Sequence, residues 1–403
     1  MRKIKQWSRY SVLSFCFLLL QILSSCAQKP SAELRCGAER FKEYLPFLQN
    51  KRIALVANQS SLVNGEHLLD VLLGKKVQIT KLFSPEHGFR GEADAGEKIS
   101  NETDSKTGLP IVSLYGKHYK PSVRDLKGID LVLFDIQDVG VRFYTYLSTL
   151  HYVMEACAEQ GKTFIVLDRP NPNGQYVDGP VLDMKYSSFV GMHPVPVVYG
   201  MSIGEYAQMI NGEGWLKNKT QCDLRVISCT NWNREDAYVL PVKSSPNLPN
   251  QLSLSLYPSL CFFEGTVVSA GRGTDHPFQC YGHPDFTNGN FVFTPRSILG
   301  ASKYPKFKGM KCVGYDLRKL NVNEFREKKK LDLSFLLTAY GELKSKDVFF
   351  NSFFVQLAGT DKLRLQIENH FSEEEIRRSW QNDLQKFSTI RAKYLLYPDF
   401  GKK

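Results

Sequence analysis

Short apolar runs that alternate with helical or polar segments are the feature that most limits how this chain can fold. Seven such runs occur in the first part of the chain, at 52–57, 79–83, 111–115, 129–136, 163–167, 195–199 and 224–229. Runs that are apolar almost throughout are typical of strands buried on both faces, and helices between them indicate crossover connections. The sequence therefore predicts an α/β protein with a Rossmann-like, mostly parallel sheet covered by helices.

The alternation stops near residue 234 and predicts a boundary between two domains. Residues 244–258 are rich in Ser, Pro and Asn and are predicted to form a long loop. An amphipathic helix is expected at 372–396, where Ser372 and Glu375 have the spacing of a capping box. We therefore expect a Rossmann-like catalytic domain at 36–235 and a smaller α+β domain at 236–403.

The first residues have the pattern of a secretory signal. A basic start is followed by an apolar run at 12–23, and Leu23-Ser24-Ser25-Cys26 is similar to a bacterial lipobox. Removal of residues 1–25 would take away four basic residues, so the formal net charge of +11 would fall to 11 − 4 = +7. These features predict lipidation at Cys26 and a protein anchored to a bacterial membrane surface in the cell envelope, periplasmic or surface-facing. No basic run indicates nucleic-acid binding.

Polar residues follow several of the predicted strands. In open α/β sheets, ligands bind outside the carboxyl ends of the strands, so residues at these ends are expected to lie close together. Pro85 ends the second strand and is followed by Glu86 and His87. The other strand ends carry Asn58, Asp135, Asp138 and Asp168. Carboxylates that converge with Arg and Tyr side chains are the composition of a carbohydrate site.

Motifs for common cofactors do not occur in the sequence. No Gly-x-Gly-x-x-Gly follows the first strand, and there is no Walker-type Gly-Lys-Ser/Thr. The cysteines form no Cys-x-x-Cys pair, and Glu86, His87, Asp135 and His193 lack the spacing of metal ligands. We therefore expect neither a cofactor nor a metal.

Gly200-Met201-Ser202-Ile203-Gly204 fits the nucleophile-elbow pattern of serine esterases and deacetylases. The same residues also predict a helix start, because Ser202 and Glu205 have capping-box spacing. We favour the helix cap and keep the serine hydrolase as an alternative.

Several longer motifs resemble one family, the exo-β-N-acetylmuramidases of peptidoglycan recycling, which were formerly a domain of unknown function. The motifs are Ser-Pro-Glu-His-Gly-x-Arg-Gly at 84–91, Asp-Ile-Gln-Asp-Val-Gly-x-Arg-Phe-Tyr-Thr-Tyr at 135–146, Asp-Arg-Pro-Asn-Pro at 168–172, Gly-Met-Ser-Ile-Gly-Glu at 200–205 and the run from Phe-Glu-Gly-Thr at 263–266 to Gly-Arg-Gly-Thr at 271–274, with Pro-Phe at 277–278. The resemblance covers nearly the whole chain after residue 25. It implies an active site in the cleft between the two domains and release of N-acetylmuramic acid from non-reducing ends of muramyl-terminated glycans or muropeptides.

The resemblance also implies that Glu86 is catalytic, which agrees with the need of glycoside cleavage for a carboxylic acid beside the leaving oxygen. His87, Asp135 and Asp138 are further catalytic candidates, and the acetamido group of the substrate is an alternative second group. Whether the configuration is retained or inverted stays open. The expected substrate-binding residues are Asn58, Arg90, Arg142, Tyr144, Asp168 and Arg272. Among them, the arginines are candidates for binding the lactyl carboxylate of muramic acid. A non-catalytic lipoprotein that binds muropeptides is a third reading, and the oligomeric state is not indicated.

Overall fold

The computed structural model describes residues 33–86, 88–89, 102–343 and 345–401. Twelve strands occur in this part of the chain. They are β1 Ile53–Ala57, β2 Leu62–Val63, β3 Glu66–His67, β4 Ile79–Ser84, β5 Glu102–Thr103, β6 Pro110–Ser113, β7 Leu131–Asp135, β8 Thr163–Leu167, β9 Leu224–Ile227, β10 Cys280–His283, β11 Phe291–Phe293 and β12 Cys312–Asp316.

The main sheet has the strand order β5-β6-β4-β1-β7-β8-β9. All neighbouring pairs from β6 to β9 are parallel, and the short β5 pairs antiparallel with β6 at the edge. The chain starts in the middle at β1, moves outward through β4 and β6, and then returns to the other side of β1 with β7. This is the doubly wound order of Rossmann folds, and it confirms the predicted α/β class.

Alternate residues of the central strands face two separate hydrophobic cores. Ile53, Leu55 and Ala57 of β1 belong to one core, whereas Ala54 and Val56 belong to the other. This alternation follows from the period of two in a strand, and it explains why the runs are apolar throughout: both faces of the sheet are covered.

Ten α-helices lie in the described residues. They are α1 Phe41–Leu48, α2 Leu68–Gly74, α3 Tyr146–Glu159, α4 Ile203–Gly212, α5 Gln251–Leu260, α6 Val322–Glu327, α7 Ser334–Glu342, α8 Phe354–Ala358, α9 Lys362–Glu368 and α10 Glu373–Arg391. Residues of α1 and α2 contribute to the smaller core on one face of the sheet. Residues of α3 and α4 contribute to the larger core on the other face, and that core continues into the C-terminal helices.

The C-terminal part is built around a small antiparallel sheet with the order β10-β12-β11. The six-stranded parallel sheet and this smaller antiparallel sheet match the predicted combination of a Rossmann-like domain with a smaller α+β domain. Residues 35–403 form one compact unit. Among the described residues, none of the helices is both long enough and apolar enough to cross a bilayer.

Two secondary-structure predictions are wrong. The apolar run 195–199 is not a strand of the sheet: Val198 makes only isolated bridges, with Val141 and Asp178. The run is apolar because it is buried, not because it is part of a ladder. The predicted loop 244–258 contains the start of α5, whose N-cap Asn250 accepts a hydrogen bond from the Ser253 amide. A strong cap outweighs the loop-like composition.

Candidate active site

The described carboxyl ends of the central strands meet where the strand order reverses, between β1 and β7. In doubly wound sheets this reversal opens a crevice, because the connections leave in opposite directions. Asn58 follows β1, and Glu86 follows β4 at the next position along the edge. Glu86 is half-buried at the first turn after the strand, so its carboxylate is held by the sheet but keeps access to solvent.

Two hydroxyl groups lie at the Glu86 carboxylate. Thr145 donates from Oγ1 to Glu86 Oε2 over 2.6 Å, from the residue that precedes α3. The Tyr115 hydroxyl, two residues beyond β6, lies close to Glu86, and burial followed by the nearby carboxylate raises the pKa of Tyr115. Groups from two different strand ends therefore face one carboxyl group.

Two tyrosines at the start of α3 extend this site. The rings of Tyr144 and Tyr146 meet edge to face, with centroids 4.8 Å apart. Tyr146 lies beside the Asn58 side chain, and burial together with the field of Glu86 raises its pKa. Tyr144 donates its hydroxyl to the Ser244 carbonyl over 2.9 Å. The segment before α5 is thereby tied to the carboxyl edge of the sheet.

Residues from the C-terminal part close the other side of a small cavity of about 70 Å³. Arg272 contributes the cation: its Nε donates to Glu264 Oε1 over 3.0 Å, and its guanidinium lies 5.0 Å from the ring centroid of Phe278. Burial lowers the pKa of Arg272, but the Glu264 carboxylate more than offsets this and raises it. The cavity thus joins a carboxylate from the sheet to an arginine from the C-terminal part, and its walls include Glu86, Tyr144, Thr145, Asn247, Arg272 and Phe278.

Asp135 lies at the end of β7, and its side chain is bound by Arg169 in the protein interior. Arg169 donates from Nε to Asp135 Oδ1 over 2.6 Å and from Nη2 to Oδ2 over 2.8 Å. The side chains of both residues are at most 2% exposed. This bidentate pair occupies both carboxylate oxygens, so Asp135 is placed as a structural ion-pair partner.

Asp168 hydrogen-bonds Ser202 and the backbone at the start of α4. Ser202 donates from Oγ to Asp168 Oδ2 over 2.6 Å, and the Gly204 amide donates to Oδ1 over 2.7 Å. Burial raises the pKa of Asp168 to about 6. The predicted capping box is confirmed, because Ser202 and Glu205 exchange hydrogen bonds between side chain and backbone. Ser202 is fully buried, and its hydroxyl serves the cap, which removes the basis for the serine-hydrolase alternative.

Asp138 lies further inside the protein, behind the tyrosines. Its Oδ2 accepts hydrogen bonds from the Gly140 amide over 2.7 Å and from the Tyr199 hydroxyl. Burial raises the pKa of Asp138 to about 6. A carboxyl group of this kind can change its protonation state near neutral pH, but Asp138 is not among the residues that line the cavity.

Arg142 is also placed away from the cavity. Its buried guanidinium donates to the carbonyls of Pro180, Val195 and Leu357 over 2.7–2.9 Å. Burial lowers the pKa of Arg142 to about 9. It links the sheet domain to α8. Among the other predicted sites, Cys26, His87 and Arg90, with the signal segment 1–25, lie outside the described residues.

The sequence prediction missed residues that now complete the site. Thr145 lies inside the motif at 135–146, and its position just before α3 could have marked it as a strand-end residue. Tyr115 follows β6 in the same way as Glu86 follows β4. Phe278 lies in the last of the motifs but was not singled out as a site residue. Asn247 carried no local signal, because only the packing of the C-terminal part brings it to the cavity.

The described part of the chain contains no cluster of three His, Cys, Asp or Glu side chains that could hold a metal ion. His193 is buried between His151 and Tyr206, with hydrogen-bond distances of 2.9 and 3.0 Å. Burial lowers its pKa well below the usual value. The seven described cysteines are all buried and free.

Comparison with known proteins identifies relatives along nearly the whole chain. Two family models match: exo-β-N-acetylmuramidase NamZ, N-terminal, at residues 53–252, and its C-terminal counterpart at 255–397. The peptidoglycan β-N-acetylmuramidase NamZ of Bacillus subtilis (strain 168) is 40% identical over 374 residues, which cover 88% of this chain and 89% of that protein.

Two crystal structures of DUF1343 family proteins from Bacteroides fragilis NCTC 9343 are similar in fold. One has a TM-score of 0.85 at 48% identity and covers 91% of this chain and 100% of its own. The other has a TM-score of 0.77 at 30% identity and covers 92% of this chain and 100% of its own. The fold is thus shared with these proteins over their full length.

Proposed function

Because the chain belongs to the exo-β-N-acetylmuramidase family, we propose that it is a glycoside hydrolase that releases N-acetylmuramic acid from the non-reducing ends of peptidoglycan fragments. The observation that supports this most is the position of Glu86. It is the described carboxylate that lies at a sheet edge and also lines a cavity, opposite an arginine. An exo-acting enzyme needs a closed pocket for one terminal sugar with an acid at its mouth.

In this proposal Glu86 acts on the leaving oxygen of the glycosidic bond. A protonated Glu86 would donate its proton as the C–O bond breaks, while positive charge develops on the sugar ring. Thr145 would keep the carboxyl group aligned with that oxygen, since it already hydrogen-bonds the carboxylate, and the Tyr115 hydroxyl lies close to it. A fixed acid requires less reorganisation at the moment of proton transfer.

The second catalytic group remains a choice between two proposals. Asp138 is a buried carboxyl group whose pKa of about 6 lets it ionise near neutral pH, and it lies behind Tyr144 and Tyr146. The 2-acetamido group of the substrate is the alternative, and then a protein carboxylate needs only to orient it. NMR of the first product gives its anomeric configuration. Inversion would exclude the acetamido route, because participation of that group retains the configuration, as does a carboxylate nucleophile.

Arg272 is proposed to bind the lactyl carboxylate of muramic acid. Its guanidinium lines the cavity, and Glu264 occupies only its Nε with a hydrogen bond in the described part of the chain. Arginine and carboxylate form charge-assisted pairs that are stronger than neutral hydrogen bonds. This arrangement would favour muramic acid over N-acetylglucosamine, which lacks the lactyl group.

The decisive experiment is to incubate the purified protein with a muramyl-terminated disaccharide and with the matching substrate that ends in N-acetylglucosamine. We expect free N-acetylmuramic acid from the first substrate and little product from the second. A protein that binds the disaccharide without cleaving it would be a binding protein, and release of acetate or of a peptide would indicate a different hydrolase.

We further propose that the mature chain is anchored in the cell envelope through a lipid on Cys26. The support is the signal-like pattern of residues 1–25 and the lipobox-like Leu23-Ser24-Ser25-Cys26. Metabolic labelling with a clickable palmitate analogue should mark the wild type and leave the Cys26→Ala variant unlabelled. Equal labelling of both would rule out this anchor.

A further inference from the structure

Four half-buried aromatic rings lie together on the surface near Glu86. We call Tyr115, Tyr119, Tyr152 and Phe189 the aromatic cluster. The rings of Tyr119 and Phe189 are stacked, with centroids 4.1 Å apart, and Tyr152 is nearly parallel to both at 6.2 and 6.4 Å. Tyr115 meets Tyr119 and Phe189 edge-on at 6.2 and 6.0 Å. Each ring keeps part of its surface exposed to solvent.

The aromatic cluster is held by polar contacts from three segments. Lys120, next to Tyr119, forms ion pairs with Glu155 and Glu159 of α3 at 2.6 and 2.7 Å. Ser148 of the same helix donates to the carbonyl of Phe189 over 2.6 Å. The rings are therefore fixed to α3 before any ligand arrives, and a preorganised surface loses less entropy on binding.

The aromatic cluster is continuous with the candidate active site through one residue. Tyr115 is a member of the cluster and lies two residues beyond β6, and Glu86 lies two residues beyond the neighbouring strand β4. The Tyr115 hydroxyl is close enough to the Glu86 carboxylate for this charge to raise the pKa of Tyr115. The cavity itself is walled by other residues, including Thr145, Arg272 and Phe278. The cluster thus extends outward from the carboxyl group on which the proposed cleavage depends.

We propose that the aromatic cluster binds the leaving part of the glycan, the sugars on the reducing side of the cleaved bond. This inference rests on the proposed function. If the terminal sugar fills the cavity and Glu86 faces the glycosidic oxygen, the remaining sugars must leave the cavity past Glu86. The aliphatic C–H faces of pyranose rings pack on aromatic rings, and exposed aromatic surface beside a polar site is a usual means of recognition.

The experiment compares two substrates in the wild type and in the variants Tyr119→Ala and Phe189→Ala. One substrate is trifluoroethyl β-N-acetylmuraminide, whose small aglycone cannot reach the cluster. The other is a muramyl-terminated tetrasaccharide. We expect each variant to lower kcat/KM for the tetrasaccharide about fivefold or more, in line with the loss of one aromatic contact. The small glycoside should be cleaved at the wild-type rate.

Two controls make the result specific. Tyr119→Phe keeps the ring and should retain the activity on the tetrasaccharide. Phe371→Ala removes an exposed ring between α9 and α10 and should leave both rates unchanged. Equal losses on both substrates in Tyr119→Ala and Phe189→Ala would mean that the cluster only supports Tyr115 and Glu86, and unchanged rates would mean that the rings contact no sugar. Either result overturns the proposal.

A binding measurement separates this proposal from the enzyme activity. Calorimetric titration with the trisaccharide that would be left after cleavage reports on the cluster without any turnover. We expect about fivefold weaker binding to Tyr119→Ala than to the wild type. Equal affinity would overturn the proposal even in an active enzyme. If Tyr119→Ala binds the trisaccharide more weakly than the wild type but the wild type cleaves no muraminide, the glycan-binding proposal stands and the proposed hydrolase activity is wrong.

Discussion

The carboxyl edge of the sheet has two sides that look alike in sequence and differ in the structure. On the β4 side, Glu86 is half-buried, held by a hydroxyl group, and lines a cavity. On the β7–β8 side, Asp135 and Asp168 are fully buried and bound by an arginine, a helix start and a tyrosine. All three carboxylates follow parallel strands. The difference shows that a strand-end carboxylate is open to a ligand only where the protein leaves space in front of it.

The two sides also differ in what a substitution should change. On the β4 side the Thr145 hydroxyl donates a hydrogen bond to the carboxylate, and an amide oxygen in its place can accept the same hydrogen bond. On the β7–β8 side Arg169 would be left buried without Asp135. We therefore expect activity to depend on the first side and stability on the second.

Glu86→Gln should have the largest effect on activity. The amide keeps the shape of the side chain but cannot deliver a proton, so we expect kcat to fall roughly 10²–10⁴-fold, the usual contribution of a general acid. The melting temperature should stay near that of the wild type. Turnover of the muramyl-terminated disaccharide is the measurement, and near-normal turnover in a folded variant would remove Glu86 from the mechanism.

Asp135→Ala should have the largest effect on stability. It leaves the Arg169 guanidinium buried without its bidentate partner, and breaking a buried pair in this way costs about 3–5 kcal/mol. Denaturant unfolding of the two proteins measures this. As a matched control, Asp130→Ala removes the partner of the solvent-exposed Arg52 and should cost far less stability. Similar losses of unfolding free energy in both variants would contradict the structural role of the buried Asp135–Arg169 pair.

Arg272→Ala tests the opposite wall of the cavity. A hydrogen bond to a charged group contributes about 1.5–3 kcal/mol, so kcat/KM for a muramic acid glycoside should fall by about one to two orders of magnitude. The kcat/KM for the matching N-acetylglucosaminide should change little, so the ratio of the two kcat/KM values should fall. Arg296→Ala, at an exposed arginine paired with Asp275, is the control and should keep the wild-type ratio. An unchanged ratio in Arg272→Ala would exclude this arginine as the carboxylate partner.

Asp138 should give a pH-dependent contribution to stability. Burial raises its folded-state pKa to about 6, above the usual value of about 3.9 for an unfolded chain. The folded state therefore binds the proton more tightly. The resulting stabilisation is complete below the unfolded pKa and is lost as the pH rises through about 6, with a slope of at most about 1.4 kcal/mol per pH unit.

Asp138→Asn removes this titration. The unfolding free energy of the wild type should therefore fall relative to that of the variant as the pH rises from 4 to 7. Urea unfolding at several pH values measures it. A difference that is constant across this range would mean that Asp138 has an ordinary pKa in the folded protein.

Ser202→Ala should have the smallest effect on activity. It removes the N-cap of α4, which is worth about 1 kcal/mol, together with the hydrogen bond to the buried Asp168, and it leaves the Glu86 cavity untouched. We expect a modest loss of stability and wild-type kinetics, since Ser202 serves only the β7–β8 side. Full loss of activity in a folded Ser202→Ala protein would restore the serine-hydrolase reading.

Local features of the sequence predicted the fold well. The parallel strands were predicted from apolar runs. The starts of α4 and α10 were predicted from capping boxes, because a capping box depends on two residues that are three positions apart. The strand predicted at 195–199 was wrong, because a segment can be apolar through burial alone. The start of α5 was missed because Ser, Pro and Asn occur in caps as well as in loops.

The site was predicted only as far as chain position allows. The sequence placed Glu86, Asp135 and Asp168 at the same edge, and the structure does so as well. It could not show that Arg142 binds the carbonyl of Leu357, which is 215 residues away, or that Tyr397 reaches Asp168. Such partners decide which polar group is free to act, and they are set by packing between distant parts of the chain.

The contact of Tyr397 with the sheet has a consequence for how the protein can be made. Tyr397 donates to Asp168 over 2.5 Å, the Leu396 amide donates to Glu205 over 2.8 Å, and Arg391 donates to the Gly200 carbonyl over 2.7 Å. These groups complete the buried end of the Rossmann-like domain. During synthesis, the domain that is made first must therefore wait for a segment that is made more than 150 residues later. A gene cut between the two matched family regions would yield an N-terminal fragment that lacks part of its own interior.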